Sequence, residues 1–385
     1  PIVGDPVLSH ARAPAPPVVR DPSFAGEVAF FQPRLSPADW RAFFRDKGYN
    51  ASPAWTASFG RLLAAVPCTA AAFTALAILD LALLVAAFAA LGVAFGPLPA
   101  LLCAAAVALF PGSEGNLVGG PLQLDWAAAA FGSLAAAARG RPFLAGALFG
   151  WAIASRLFPA LLLAGPLLAV AVGAMEARRS FVRRAATGLA LSLGVALLLG
   201  ATTPRGPAAW AEFSEKITLH AAHHHEGDRR IGLDPLLGWA PLGERAPAEA
   251  RQDRAQRWIG RAPWATAARC LLLVLWIAAA SRGLLRGRLA ARPDGQALVA
   301  TLLLALPVPF LLVTQSRYYA LLPAALLLLP GRGPALLGAS LLAIAGLTWG
   351  VTASPAGDAT WYATYNAGLL AIALAALVRF GRRRR

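Results

Sequence analysis

Charge is scarce in this chain, and cysteine and lysine are scarcer still. Only 14% of the 385 residues are charged and 58% are hydrophobic, with a mean hydropathy of +0.58. That balance excludes a soluble protein with one solvated face. The three cysteines, Cys68, Cys103 and Cys270, all lie in apolar runs with no CxxC spacing, so neither a disulfide framework nor a zinc site is supported. Acids are outnumbered 19 to 35 by basic residues, for a net charge of +16. Nucleic-acid binding would want a contiguous basic face interleaved with stacking aromatics. Here most of the excess is arginine in short loops between apolar runs, which is the positive-inside pattern of a membrane protein. The preference for arginine over lysine, with heavy use of Ala, Leu, Gly and Pro, points to a GC-rich bacterial genome.

What is present is a series of apolar runs of near-spanning length, the mark of an all-α, polytopic integral membrane protein. Spans are expected near 66–95, 98–110, 121–138, 185–202, 265–281, 296–314, 318–330, 335–351 and 367–378, with a hairpin over 142–174 that crosses twice and turns near Ser155–Pro159. That makes about ten to eleven transmembrane helices or half-helices, several short enough to be tilted, broken or re-entrant. The hairpin lets Arg139 and Arg141, Arg178 to Arg184, Arg282 to Arg292, Arg332 and the terminal run Arg379 to Arg385 share one face, taken as cytoplasmic. The opposite face collects residues 1–60, the loop 112–120, the Arg156 turn, the long outer loop 204–263, the link at Arg317 and the loop 352–366. Nearly all the acids, all the histidines and both lysines fall there. The division is thus an outer-face region over 1–60 and a multi-span domain over 61–385. No signal peptide is visible in the polar stretch that follows Pro1, so a further span upstream is expected to carry residues 1–60 across.

The candidate site residues gather on that outer face. Arg156 sits between long apolar stretches and precedes Phe158-Pro159. An arginine there is costly in lipid and should meet protein, water or an anion, and its planar fork suits a phosphate. Its bland alternative is snorkelling, or an internal pair with Asp125. Glu114, Asn116 and Asp125 flank the Gly-rich loop SEGNLVGG; Asp125 also fits as an acid favoured by a helix N-terminus. His220 ends the segment WAEFSEKITLH and opens the histidine run HAAHHHEGD. That run invites a metal reading but lacks HExxH or comparable spacing, so no metal ligand is assigned. Arg317 and Tyr318 offer a second phosphate contact or an interfacial anchor. Asp80, inside the first span, reads as a packing residue, deep and far from the other candidates. The stretch SPADWRAFFRDKGYNASPAW is aromatic and amphipathic enough to lie on the membrane surface.

Read together, Glu114-Gly115-Asn116, the span after it, the basic turn and then Ala145-Gly146…Gly150…Arg156…Pro159 resemble the polyprenyl-phosphate-sugar-dependent GT-C glycosyltransferases. Glycosyltransferase family 87, the DUF2029 mannosyltransferase-like group, is the most similar. GYNASPAW resembles that family's tyrosine-proline stretch, and KITLH…IGLDPLLGW its long outer loop. Arg156 stands where lysine is common, and Glu114 where glutamine is usual. The resemblance implies a GT-C helical bundle in the bacterial inner membrane with a cytoplasmic C-terminus. It implies transfer of a sugar, mannose in that group, from a polyprenyl-phosphate donor to a lipid, glycan or protein acceptor. A carboxylate would take the acceptor's proton, while Arg156, Arg317 and His220 hold the leaving phosphate and the polyprenyl chain lies in a lipid-open groove. The family's catalytic acid belongs to the first outer loop; within residues 1–60, Asp39 and Glu27 stand in for it, and the true base is otherwise expected upstream. The partners implied are the bilayer and the lipid-linked donor. No cofactor is implied beyond that donor, with room for a divalent cation. Two other classes compete: a secondary transporter of an organic anion, which would predict inverted repeats that the sequence does not show, and a non-catalytic membrane scaffold, which leaves the one-sided polar residues unexplained.

Overall fold

The computed structural model describes residues 32–34, 36, 51–108, 122–222, 230–237, 247–287, 289–290, 292–328, 366–368 and 370–371. The described chain is overwhelmingly helical, and four stretches are long and apolar enough to cross a membrane: Ala70–Phe95, Glu176–Ala201, Pro263–Leu285 and Asp294–Leu312. In the last of these 89% of the apolar stretch is buried, against 17–28% in the other three. Asp294–Leu312 is therefore interior, and the others turn most of their leucine and valine surface outward, as helices bathed in hydrocarbon do.

Helix α1 (Ala70–Phe95) is capped by Thr69, whose hydroxyl accepts from the Ala72 N–H, and it stops at Gly96, whose φ of +94° few residues but glycine adopt. α2 (Pro97–Ala108) folds back from it, with Ala100 against Gly92. α3 (Asp125–Ala138) and α4 (Pro142–Ser155) form an antiparallel pair joined by the turn Arg139–Arg141. Gly140 takes φ +71° in that turn, and the Ser133 hydroxyl donates to the Ala145 carbonyl across the pair at 2.8 Å. Asp80 beside Leu124 and Phe88 beside Phe131 set α1 parallel to α3.

After α4 come a 3-10 turn over Phe158–Leu163 and α5 (Ala164–Ala171), then α6 (Arg179–Ala201). α4 and α6 run parallel and very close. A Cβ on Gly146 would strike the Ala185 carbonyl, one on Gly188 the Phe143 carbonyl, and one on Gly150 the Ser192 side chain. Small residues spaced by four on both helices let two backbones touch where apolar burial gives no net drive, lipid being as apolar as leucine. The AGxxxG portion of the sequence motif is thus accounted for by helix packing.

α7 (Ala208–Ala222) folds back on the end of α6, with Trp210 donating to the Leu197 carbonyl at 3.1 Å. α8 (Pro247–Leu285) starts well before the span expected at 265, inside the stretch assigned to the outer loop. The reason is local: PAEARQDRAQRW is rich in Ala, Glu, Arg and Gln, strong helix formers even without an apolar face. α9 (Asp294–Leu304) and α10 (Pro307–Leu312) break at Ala305-Leu306 ahead of Pro307. Trp276 of α8 donates to the Leu304 carbonyl at 2.8 Å, and Gly165 of α5 lies hard against the Thr301 carbonyl.

The ends of this assembly differ in chemistry. At the arginine end, Arg178 donates to the carbonyls of Leu289 and Arg292 at 2.8 and 2.7 Å and pairs with Asp294 at 3.2 Å. Arg178 therefore ties the start of α6 to the loop before α9, a structural task that counting loop charges does not disclose. The far end carries Asp125, Ser155 and Arg156 together with the outer-loop segments. There β1 (Arg230–Ile231) pairs antiparallel with β2 (Gln315–Ser316), matching Arg230 with Ser316 and Ile231 with Gln315. The Gly232 N–H donates to the buried Asn366 side chain at 2.8 Å.

Candidate functional site

The far end holds a buried polar cluster built by the ends of helices. Asp125, the first residue of α3, is 3% exposed. Its carboxylate accepts from the Trp151 indole at 3.0 Å and from the Ser155 hydroxyl at 3.1 Å, both on the last turn of α4. Asp80 reaches the same place from α1: its two oxygens accept the Leu124 N–H at 3.2 and 3.0 Å, just where α3 begins. Asp80 is deep in its helix as expected, but the expectation that it lies far from the other candidates is wrong. The vertical offset of α1 against α3 brings a residue well inside its own helix level with the first residue of its neighbour. Asp80 does serve packing, by fixing the start of α3, but it does so beside Asp125. Replacing Asp80 by alanine leaves a buried N–H without an acceptor and is expected to cost about 1–3 kcal/mol. A thermal melt in detergent against wild type reads that loss, and an unchanged midpoint would show that the Leu124 N–H finds another acceptor.

Arg156 ends α4. Its backbone is extended at φ −140° and ψ 116°, and its N–H still bonds to the Ala152 carbonyl. The helix stops here because Pro159 and the 3-10 turn over Phe158–Leu163 follow at once. Trp126 and Phe158 meet edge to face at 5.0 Å, closing the floor under the turn. The Arg156 guanidinium attracts both Asp80 and Asp125 electrostatically, yet it makes no ion pair with either among the described residues. Its Nε is buried without a hydrogen-bond partner. The internal Asp125–Arg156 pair considered from sequence is therefore not formed: Asp125 accepts from Trp151 and Ser155 instead. A buried guanidinium N–H with nothing to bond is costly, and an anion supplies what it lacks.

Beside the cluster, a groove of about 560 Å³ runs between α1, α3 and α4. Its wall is almost wholly apolar, with Leu83, Ala87, Ala129, Gly132 and Leu148 along it, Phe59, Trp151 and Asp125 at the far end and Arg139 and Arg141 at the other. Arg156 does not line it. Phe59 belongs to a helical run over 53–64 that packs on this end through the Phe59–Trp151 edge contact at 5.8 Å and the Trp55 indole bond to the Leu122 carbonyl at 3.3 Å. Ser52 caps that run by accepting the Trp55 N–H.

A second polar cluster lies at the same end and was not found from sequence. Asp234, in the segment LDPLL after β1, is buried; it pairs with Arg269 of α8 and accepts from the Thr314 hydroxyl at 2.9 Å. No local spacing announces it, since the partners are 35 and 80 residues away. A double-mutant cycle with Asp234→Ala and Arg269→Ala is expected to give a coupling of about 1–3 kcal/mol in thermal unfolding. Strictly additive effects would mean that the pair does not hold the outer loop to α8.

The other sequence candidates are placed in part or not at all. His220 lies in α7, and Arg317 and Tyr318 open the 3-10 stretch Arg317–Leu328, but their side chains lie outside the described residues. Glu27, Asp39, Glu114 and Asn116 also lie outside them. Among the described residues no three His, Cys, Asp or Glu side chains converge as metal ligands would. No protein-family model matches the chain, and no curated protein or solved structure matches it.

Proposed function

We propose that the chain is a polytopic GT-C-type membrane glycosyltransferase that moves a sugar from a polyprenyl-phosphate donor to an acceptor hydroxyl. The observation that carries this reading is Arg156: a half-buried guanidinium at a helix break, its shielded Nε lacking a protein partner, in a helical assembly with four membrane-length stretches. Its donors are open to the donor's phosphate because Asp80 and Asp125 bond to other N–H and O–H groups and neither pairs with it. In the reaction the acceptor oxygen attacks the anomeric carbon as its proton passes to a carboxylate, for which Asp39 and Glu27 are this chain's candidates. The bond from that carbon to phosphate breaks, and Arg156 stabilises the charge that develops on the leaving oxygen. Arg317 and His220 are the further phosphate contacts on this reading, with Glu114, Asn116, Asp125 and Tyr318 shaping the rest of the site. The arginine end faces the cytoplasm of a bacterium, and mannose is the sugar to try first.

The helix break at Arg156 also suits an anion transporter, since broken helices beside a buried charge are how such proteins bind substrate. Membranes containing the protein, supplied with radiolabelled polyprenyl-phosphate sugars, separate the two. Transfer to a lipid or glycan fraction is the expected result. Folded protein that transfers from no donor, but takes up an organic anion, would replace the enzyme by the carrier.

A further inference from the structure

The groove between α1, α3 and α4 does not belong to the Arg156 site by its lining, and its chemistry runs the other way. Its apolar wall follows α3 from Asp125 to Arg139, which is about 20 Å at the rise of an α-helix. The half-thickness of a bilayer's hydrocarbon core is about 15 Å, so the groove can accept one chain of a lipid over its full length. The two ends are not equivalent. At the far end the groove closes on the Asp125 carboxylate, which accepts from Trp151 and Ser155 and offers a lipid phosphate no donor. At the other end stand Arg139 and Arg141, exposed and with no acid paired to either among the described residues. The turn holds them a fixed two residues apart around Gly140, whose positive φ keeps it tight.

We infer that this groove is a binding site for an anionic glycerophospholipid of the leaflet at the arginine end, its phosphate held by Arg139 and Arg141 and one acyl chain laid along α3 towards Asp125. The polarity of the groove decides the orientation: among the described residues that line it, the cations are at one mouth and the anion is at the other. A donor phosphate held at Arg156 would sit beyond the acidic end; the two sites meet at Asp125 but take their phosphates on different arginines, so the failure of one leaves the other standing.

The test is native mass spectrometry of the purified full chain equilibrated with phosphatidylglycerol or with phosphatidylcholine of the same acyl chains. Wild type is expected to retain phosphatidylglycerol in preference, and the double variant Arg139→Gln, Arg141→Gln to lose that preference by roughly 10- to 30-fold, two surface arginines' worth of attraction. Gly132→Leu fills the groove midway while leaving both arginines, since a Cβ there meets only the end of Leu148 at 3.4 Å; it is expected to reduce retention of both lipids. Equal retention of the two lipids by wild type would overturn the inference. So would a preference unchanged in the arginine variant, or a polyprenyl monophosphate that displaces phosphatidylglycerol at equal concentration. Thermal midpoints of each variant in detergent establish that a lost lipid is not a lost fold.

Discussion

Replacing Arg156 by alanine lowers sugar transfer by about a hundred- to a thousand-fold, the size of effect seen when one preorganised donor to a developing oxyanion is removed, while the folded protein is retained. The two halves of that expectation rest on the same fact. Because the guanidinium Nε has no partner in the protein, its loss orphans no acceptor. Asp80 keeps the Leu124 N–H, and Asp125 keeps Trp151 and Ser155. The side chain is only half-buried and its removal leaves no buried acceptor unpaired, so the thermal midpoint should hold. Lysine at the same position keeps the charge but not the bidentate fork, and should fall between wild type and alanine. Alanine that transfers normally would make Arg156 a structural residue. Alanine that unfolds the protein would mean the guanidinium is held internally after all.

A single methyl group should separate the glycines of the α4–α6 seam from a glycine facing lipid. Alanine in place of glycine inside a helix is ordinarily stabilising by about 1 kcal/mol. Gly194 on α6 has nothing within 4 Å of an added Cβ, so Gly194→Ala should be neutral or raise the thermal midpoint. At Gly146 and Gly188 the same methyl meets a backbone carbonyl of the facing helix. Backbone cannot rotate aside as a side chain can, so each change forces the helices apart at a cost of about 1–3 kcal/mol or more. The checking measurement is size-exclusion profile and melting midpoint of the three alanine variants in one detergent. Equal behaviour of all three would show that α4 and α6 do not pack in this register.

Several parts of this arrangement could be read along the chain because they are local. The stop of α4 at Arg156 follows from a charge in an apolar run with a proline close behind, whereas α3, expected from 121 with Asp125 about one turn inside, begins only at Asp125 itself. The meeting of Asp80 with Asp125 could not be read, since it depends on how far α1 slides along α3. A shift of one turn would carry Asp80 away from the Leu124 N–H without changing one residue of the pattern. The Asp234–Arg269–Thr314 cluster was invisible for a related reason: three elements distant in sequence must dock before its charges face one another. The beginning of α8 was missed because loop and span were separated by hydropathy, and a polar helix extending from a membrane span has no hydropathy signal. The AGxxxG pattern was visible but read for family membership, whereas its glycines lie in a packing seam.

The parallel course of α4 and α6 has a consequence for synthesis. Two neighbouring parallel helices require the chain to return between them, and only α5 with its 3-10 turn is available for the return. The helical stretch Phe158–Ala171 is still too short to span by itself, a full span needing about 20 residues. The tightest approach α5 makes is where Gly165 closes on the Thr301 carbonyl of α9, and Thr301 leaves the ribosome more than a hundred residues later. The Arg156 turn therefore cannot settle in order from the N-terminus: this part of the membrane domain waits, half-threaded, for its own distant C-terminal neighbour to arrive.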